Sequence, residues 1–502
     1  MFRRLAVNTG SNVAVLCVSV VVAFILTPVL VSNLGIYDYG LWEMLAAVLG
    51  YAGMLELGLR PTVSRFTAKY NAERDRAALR RLFSTSLVFL SAIGFVVSCV
   101  FLLWAVLLPD VLAPANEPAD RYAVLLLILA ANVLAAFPGH VAESVLEGMQ
   151  RYYLKNMVAI VKMVSVCSII LWFITPDNGL LLLAGVSAVG LWVRNLVYFL
   201  IVMWLDRDSF RFKVAAVSLP HLRELVVFGT KSFVQGVSYR IETMTDSLVI
   251  GIILGPAMVP FYSIPANLVQ YLRNLCSAIT HAFMPLFSSL DARHEVEQIR
   301  QIYLVASKLM VGLVLPLGAG AVLLGPAFLT IWIGPEIADH SQTIILLLVL
   351  FLSLPLLNPF SSRYLTAINR HGIFAIFSPV SALLNLGLTI LLVQWMGVVG
   401  AAWASLIAVI TVFPIYLVYT TRHLGITVIR YVRESIMPAF SPTLFMTLAV
   451  LYYRIEVELT SYMDLVLGVL IGGLIYLPLF VGLALTTSER SFLVGRVFGM
   501  RR

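Results

Sequence analysis

Long apolar runs occupy most of the chain, from its first residues almost to its last. Each run holds about twenty apolar residues, and short polar loops separate the runs along the 502 residues. A run of that length crosses the roughly 30 Å hydrocarbon core of a bilayer as one helix, which satisfies its own backbone hydrogen bonds. The pattern predicts an all-α, polytopic membrane protein. About fourteen spans are expected, near residues 10–32, 39–59, 83–108, 122–143, 156–175, 181–204, 226–253, 257–284, 308–333, 342–362, 374–395, 400–421, 439–454 and 464–485.

Composition supports the membrane assignment. Hydrophobic residues make up 60% of the chain and charged residues 12%, whereas a soluble protein carries about a quarter charged residues. Mean hydropathy is +0.95. The first run follows Arg3 and Arg4 and contains no A-x-A cleavage site, so it is expected to remain as the first span.

Basic residues alternate between the two sides of the predicted spans. Of the 34 Lys and Arg residues, 26 fall in one set of loops, and only Arg121 and Arg454 fall in the opposite set. Loops rich in Lys and Arg stay in the cytoplasm. Both chain ends are therefore predicted to be cytoplasmic, and the net charge of +8 needs no nucleic-acid partner to explain it.

The sequence carries no motif for enzymatic chemistry. It lacks a phosphate-binding G-x-x-x-x-G-K-[ST], an H-E-x-x-H and a cysteine–histidine zinc pattern, and no loop is long enough to hold an enzyme domain. The chain is therefore predicted to be no enzyme and to bind no cofactor. All four cysteines lie in apolar runs and are predicted to be buried small hydrophobic residues: Cys17, Cys99, Cys167 and Cys276. Gly468 and Gly472 form a G-x-x-x-G that favours close packing of span fourteen.

An internal repeat divides the chain. Leu34-Gly35-Ile36 ends span one and Leu254-Gly255-Pro256 ends span seven, while the segments 146–151 and 365–370 follow spans four and ten at a matching offset. The repeat predicts two parallel six-span bundles, a transporter architecture with its substrate site between the halves. Chance similarity among apolar segments is the alternative. The predicted domains are residues 1–210, residues 211–425, and two added spans with a tail at 426–502.

Spans seven and eight carry polar stripes. The residues of each stripe recur every three or four positions and so share one helix face. In span seven they are Lys231, Gln235, Ser238, Glu242 and Asp246, and in span eight they are Asn267, Gln270, Asn274, Ser277 and His281. Arg273 lies beside the second stripe, and Arg240 lies roughly opposite the first.

Charged side chains facing lipid at the bilayer centre cost about 2.5–3.5 kcal/mol each. These stripes are therefore expected to line a watery cavity. The alternative is a set of ion pairs between helices, for example Arg240 with Glu242 or Asp246.

Other polar residues are scattered through the first six spans. Asn12 shares a face of span one with Asn8, while Glu43 in span two is either a proton or cation site or an interfacial, solvated residue. Glu56 is predicted to pair with Arg60 on its own helix. Three residues near the end of span four are predicted to be solvated: His140, Glu143 and Glu147. Spans five and six contain one cation each, Lys162 and Arg194. Whether these two side chains line the cavity is left open by the sequence.

The chain resembles the Wzx-type polysaccharide flippases, which belong to a superfamily that includes the MATE exporters and MurJ-like lipid II flippases. The residues that carry the resemblance are Asn8, Asn12, Pro28, Leu34-Gly35, Tyr39-Gly40, Leu57-Gly58-Leu59 and the segment from Leu146 to Arg151. The two added spans are a feature shared with the MurJ-like group.

The resemblance implies alternating access and transport of an undecaprenyl-pyrophosphate-linked oligosaccharide across the bacterial inner membrane. It implies that cavity cations meet the pyrophosphate, and by position these are Arg273, Lys231 and Arg240. It also implies coupling to an H⁺ or Na⁺ gradient, for which Glu43, Glu242 and Asp246 are the candidates. Membrane lipids and a polysaccharide polymerase or co-polymerase complex are the further expected partners. A cation-coupled exporter of small molecules and a lipid II flippase remain alternatives.

Overall fold

The computed structural model describes residues 2–108, 111, 119–281, 283–487 and 489–490, except for the side chains of residues 2–6, 9, 231, 232, 234 and 235. Over this part the chain is helical, without a β-strand, so the predicted all-α architecture is confirmed. The helices are α1 (Phe2–Ala52), α2 (Leu59–Glu73), α3 (Arg76–Leu107), α4 (Asp120–Gly148), α5 (Tyr152–Phe173), α6 (Gly179–Leu205), α7 (Arg207–Phe210), α8 (Leu219–Leu254), α9 (Val259–His281), α10 (Met284–Ala292), α11 (Val296–Trp332), α12 (Pro335–Leu356), α13 (Ser361–Ala367), α14 (Gly372–Met396), α15 (Val398–Leu424), α16 (Val428–Tyr431), α17 (Met437–Glu456) and α18 (Tyr462–Leu479).

Eleven helical stretches in the described chain are long and apolar enough to cross a membrane. One of them, Gly10–Glu56, contains both predicted spans one and two, because α1 bends at Gly35 (φ 74°) instead of ending there. The two polar helices α8 and α9, which correspond to predicted spans seven and eight, are not among the eleven. The count of fourteen spans therefore stays a prediction.

The internal repeat is visible in the backbone. A positive φ is uncommon for residues other than glycine, so its recurrence at matching places marks a repeated turn. Three pairs share it at separations of 219 or 220 residues: Gly35 and Gly255, Arg74 and His294, and Gln150 and Asn369. Matching turns after matching helices confirm the internal repeat along the chain, and chance similarity of apolar segments does not account for them.

The chain forms two compact units, Met1–Met244 and Thr245–Arg502. The division falls inside α8, whose first part belongs to the first unit and whose last part belongs to the second. The predicted domain boundaries at 210 and 425 stay predictions.

The helices α17 and α18 pack within the second unit. The hydroxyl of Tyr476 in α18 donates to the carbonyl of Gly312 in α11. A Cβ at Gly468 would lie 3.3 Å from the Tyr453 ring, and one at Gly472 would lie 3.1 Å from Val450. Both glycines of the predicted G-x-x-x-G therefore let α18 approach α17 closely.

The predicted burial of the cysteines is confirmed for two of the four. All four are free thiols; Cys167 and Cys276 are buried and Cys99 is half-buried. Cys17 is exposed on α1, so its predicted burial was wrong. An apolar run fixes the depth of a residue in the membrane but not whether its face meets protein.

The basic residue Arg121 is neutralised locally in the first unit. Its guanidinium forms an ion pair of 2.6 Å with Asp38, and the hydroxyl of Tyr122 donates to the same carboxylate over 3.3 Å. Asp38 is buried between α1 and α4. Arg121 is one of the two cations that the sequence places in the loops opposite the basic set. Because Asp38 neutralises its charge, Arg121 does not weaken the charge asymmetry between the two sets of loops.

Candidate functional site

The helix α9 has two contrasting faces. One is buried in the second unit and includes Val269 and Cys276. On the other, Asn267 is exposed and Gln270 and Asn274 are half-buried. The amide of Gln270 donates to the side-chain oxygen of Asn274 over 3.1 Å, as expected for residues four apart on a helix. The polar stripe is thus turned away from the core of its own unit.

Positive charge accompanies this stripe. Arg273 is half-buried beside it. At the end of α9, His281 is exposed, and Nη2 of Arg363 in α13 donates to its Nε2 over 2.6 Å. The face of α9 that is not used for packing therefore combines neutral amides with guanidinium groups, and it can bind an anion through charge-assisted hydrogen bonds.

The residues of the α8 stripe differ in how far they are buried. Ser238 and Asp246 are buried, while Glu242 is half-buried. The side chains of Lys231 and Gln235 lie outside the described residues. Asp246 was expected on the wall of an open cavity, but it is only 3% exposed, so that expectation was wrong.

Asp246 sits in a cage of hydroxyl groups within the second unit. The hydroxyls of Tyr262 in α9, Thr389 in α14 and Ser405 in α15 all donate to its carboxylate, the last two at 3.0 Å. The amide of Asn385 donates to Ser405 over 2.9 Å. Within the described residues, Oδ1 of Asn385 is buried and accepts no hydrogen bond. The cage thus gathers one carboxylate, several neutral oxygens and a spare amide oxygen.

This oxygen-rich cage suits a small, hard monovalent cation or a proton. Hard cations take carboxylate, hydroxyl and amide oxygens as ligands. The three hydroxyl hydrogen bonds of the cage converge on one carboxylate, that of Asp246. The described residues contain no cluster of three or more His, Cys, Asp or Glu side chains that could hold a metal ion. The sequence pattern points to Asp246 but not to the other residues of the cage. Asn385 and Thr389, four residues apart in an apolar span, are the signal that could have indicated them.

Arg240 has a structural contact within the first unit. Its Nη1 donates to the carbonyl of Gly50. A Cβ on Gly53 would come within 3.0 Å of Nη2, so the two glycines make room for the guanidinium. The suggested pairing of Arg240 with Glu242 or Asp246 is not among the ion pairs of the described residues. This contact uses at least part of the hydrogen-bonding capacity that a pyrophosphate would need.

Asn12 and Glu43 lie elsewhere in the first unit. The exposed Asn12 accepts a 2.6 Å hydrogen bond from the amide of Asn156, which is buried in α5. Glu43 is half-buried and hydrogen-bonded to Tyr39, one turn earlier in α1. Asn12 therefore ties α1 to α5, and both assigned roles stay predictions.

An ion-pair network joins α2, α4 and α5 in the first unit. Glu143 of α4 is 3.2 Å from Arg60 of α2. Glu56, in the turn before α2, contacts His140 of α4 at 2.6 Å. Lys155 lies 2.7 Å from Glu147 and 3.8 Å from Glu143. The predicted pair of Glu56 with Arg60 and the solvated end of α4 were both wrong, because partners from other helices cover these groups.

The comparison with known families rests on the N-terminal part of the chain. The family model described as "Polysaccharide biosynthesis protein" matches residues 5–291, more than half of the sequence. The chain belongs to this family.

The chain has distant relatives in bacteria and archaea. It is 22% identical over 383 residues to a putative O-antigen transporter of Shigella flexneri, covering 76% of this chain and 89% of the relative. It is 25% identical to the uncharacterised membrane protein EpsK of Bacillus subtilis, covering 66% of each. It is 24% identical to the probable low-salt glycan biosynthesis flippase Agl15 of Haloferax volcanii, covering 52% and 54%. The chain thus spans just under two thirds of EpsK and about half of Agl15.

Solved structures show the fold. The chain resembles the lipid II flippase MurJ in an inward closed conformation, with a TM-score of 0.72 over 99% of this chain and 100% of MurJ at 14% identity. It resembles an inward-facing MATE family transporter of the MOP superfamily with a TM-score of 0.65, over 79% and 93% of the chains at 18% identity. The chain therefore has the MATE/MurJ-like, all-α fold of a multi-pass membrane protein.

Proposed function

We propose that this protein is a flippase for an oligosaccharide linked to undecaprenyl pyrophosphate. The observation that carries the proposal is the exposed polar face of α9, with Arg273 half-buried beside Gln270 and Asn274. The names of the Shigella and Haloferax relatives, an O-antigen transporter and a glycan biosynthesis flippase, support the substrate class.

The physical reason for such a face is the cost of moving a sugar–pyrophosphate group through lipid. Unpaired polar and charged groups are very unfavourable in the hydrocarbon core. Amides on α9 would replace the water around the sugars, and Arg273 would pair with the pyrophosphate. The polyprenyl tail is apolar and can remain in lipid throughout. This chain's part is binding and alternating access, without covalent chemistry.

Coupling to an ion gradient is proposed at the Asp246 cage. A proton or a Na⁺ ion bound there would neutralise a carboxylate that three hydroxyls now hold. The cage joins α8, α9, α14 and α15, so loading or unloading it alters the packing between helices that include α9. A transporter can couple two events when an ion binds one conformation more tightly than another.

The proposed setting is the bacterial cytoplasmic membrane, with both chain ends in the cytoplasm, as the loop charges favour. There the glycan would be moved from the cytoplasmic to the periplasmic leaflet during exopolysaccharide, capsule or O-antigen assembly. A polymerase or co-polymerase complex is a proposed partner, since such a complex uses the translocated product.

Removing the protein from its host tests the proposal. We expect cells depleted of it to accumulate lipid-linked oligosaccharide on the cytoplasmic leaflet and to lose surface polysaccharide, because the substrate cannot cross unaided. The measurement is lipid extraction with mass spectrometry, with re-expression of the wild-type chain as the control. Unchanged surface polysaccharide without any accumulated intermediate would refute the flippase assignment and favour a small-molecule exporter.

A further inference from the structure

A groove between α5 and α6 on the surface of the first unit has an unusual lining. Its volume is about 550 Å³, and its walls are mostly Val, Leu, Ile and Met side chains. Two cations line it as well, Lys162 from α5 and Arg194 from α6. A pocket of this size suits a small ligand or part of a larger one. An apolar groove with two positive charges suits a ligand that has a hydrophobic part and an anionic group.

The two cations are not balanced inside the groove. Both line the same groove, where like charges repel each other. The guanidinium of Arg194 donates to the amide oxygen of Asn195 over 3.0 Å and also feels the charge of Glu143. That carboxylate already forms ion pairs with Arg60 and Lys155. Within the described residues, no carboxylate forms an ion pair with Lys162 or Arg194, so the groove keeps an excess of positive charge.

The position of Lys162 is built into the helix packing. A Cβ on Gly190, one turn before Arg194 in α6, would come within 3.3 Å of Cε of Lys162. The missing side chain at Gly190 therefore lets the lysine stem cross α6. Gly190 and Arg194 are four residues apart on α6, so the stem of Lys162 crosses α6 on the face that carries Arg194.

Depth in the membrane narrows the choice of ligand. Lys162 lies at the middle of α5, about 15 Å from either helix end at 1.5 Å per residue. Arg194 is likewise near the middle of α6. A resident phospholipid keeps its phosphate at the membrane surface, whereas a lipid in transit brings its phosphate to mid-depth. Intramembrane cations mark such pathways because they are costly without an anion.

We infer that the α5–α6 groove binds the pyrophosphate end of the lipid-linked substrate midway through translocation, with Lys162 and Arg194 as its partners and the apolar walls against the first isoprene units. This inference rests on the proposed function and adds to it a binding site separate from the face of α9. Two cations match the charge of a pyrophosphate diester, which has one negative charge on each phosphate.

Binding to the purified full-length protein tests the site. Polyprenyl pyrophosphate is titrated into the wild type, into Lys162→Met/Arg194→Met and into Lys162→Arg, with affinity measured by native mass spectrometry. We expect about a tenfold loss for each charge removed and near wild-type affinity for Lys162→Arg. Val189→Trp keeps both charges but fills the groove from an exposed position, and it should weaken binding as well. Lys213→Met, at an exposed loop lysine, is the matched control and should bind like the wild type.

The outcomes separate the site from the overall function. If wild type prefers polyprenyl pyrophosphate over phosphatidylglycerol and the double variant and Val189→Trp bind it equally well, the groove assignment is overturned and the flippase proposal stands. Equal competition by phosphatidylglycerol at the groove identifies a resident phospholipid site, which also overturns the inference. Inorganic pyrophosphate competing as well as the lipid overturns the role of the apolar walls. Wild type that shows no preference for the pyrophosphate lipid contradicts the proposed function itself.

Discussion

Replacing Arg273 by alanine is expected to reduce glycan export by about 10- to 100-fold, because a charge-assisted contact contributes roughly 1.5–3 kcal/mol. Arg273 is half-buried beside the half-buried amides of Gln270 and Asn274, where a pyrophosphate would lose its hydration shell. The residue is not part of the buried face of α9, so the variant should still insert and accumulate normally. Surface polysaccharide and accumulated lipid-linked oligosaccharide, normalised to protein level, provide the measurement.

Two variants make the Arg273 result specific. Arg273→Lys keeps the positive charge but loses the planar fork, so export should fall between alanine and wild type. Arg293→Ala removes an exposed arginine just after α10 and should leave export unchanged. Wild-type export by a well-expressed Arg273→Ala variant would remove this residue from the substrate path.

Replacing Asp246 by asparagine is expected to abolish gradient-driven export while leaving the protein folded. Asparagine has nearly the same shape, and its one side-chain oxygen can still accept either from Thr389 or from Ser405 and Tyr262. However, it cannot release a proton or neutralise a cation. Alanine is a harsher change, since it leaves three buried hydroxyls without their acceptor at about 1–3 kcal/mol each. Transport into vesicles with an imposed H⁺ or Na⁺ gradient is the measurement, and thermal unfolding in detergent monitors the fold.

Glu242→Gln tests the second coupling candidate on α8, because it removes a carboxylate one turn before Asp246 at a half-buried position. We expect its gradient dependence to resemble that of the wild type. Thr389→Val keeps the charge of Asp246 and removes one cage oxygen, so it should weaken ion dependence without eliminating transport. An Asp246→Asn variant that still responds to the gradient would place the coupling elsewhere, with Glu43 as the next residue to test.

The sequence predicted the polar face of α9 more successfully than that of α8. Helical periodicity places Asn267, Gln270 and Asn274 on one face, and the structure leaves that face exposed or half-buried. The same periodicity groups Asp246 with Glu242, yet only Asp246 is buried. Periodicity along one helix reports which residues share a face, but neighbouring helices decide what that face meets.

Ion pairs between residues on different helices could not be predicted from the sequence for the same reason. His140 contacts Glu56, and Arg60 contacts Glu143, across helix boundaries. The sequence alone favours pairing of Glu56 with Arg60 and exposure of His140 and Glu143 to solvent. The repeat was detectable because it leaves a trace in the sequence itself, at Leu34-Gly35 and Leu254-Gly255. The Asp246 cage was not detectable from the sequence, because its hydroxyl and amide groups come from three different helices, α9, α14 and α15. Single Ser, Thr, Tyr and Asn residues are common in membrane helices.

Water access to α9 tests the central claim most directly. In a chain whose four native cysteines are replaced by serine or alanine, single cysteines are introduced at Gln270 and Asn274 on the polar face, and Cys276 is restored alone on the buried face. A membrane-impermeant thiol reagent is applied from each side of the membrane. The account predicts that Gln270→Cys and Asn274→Cys react and that Cys276 does not. If both introduced cysteines stay unreactive from either side, α9 does not border a water-filled path, and the transport account is contradicted.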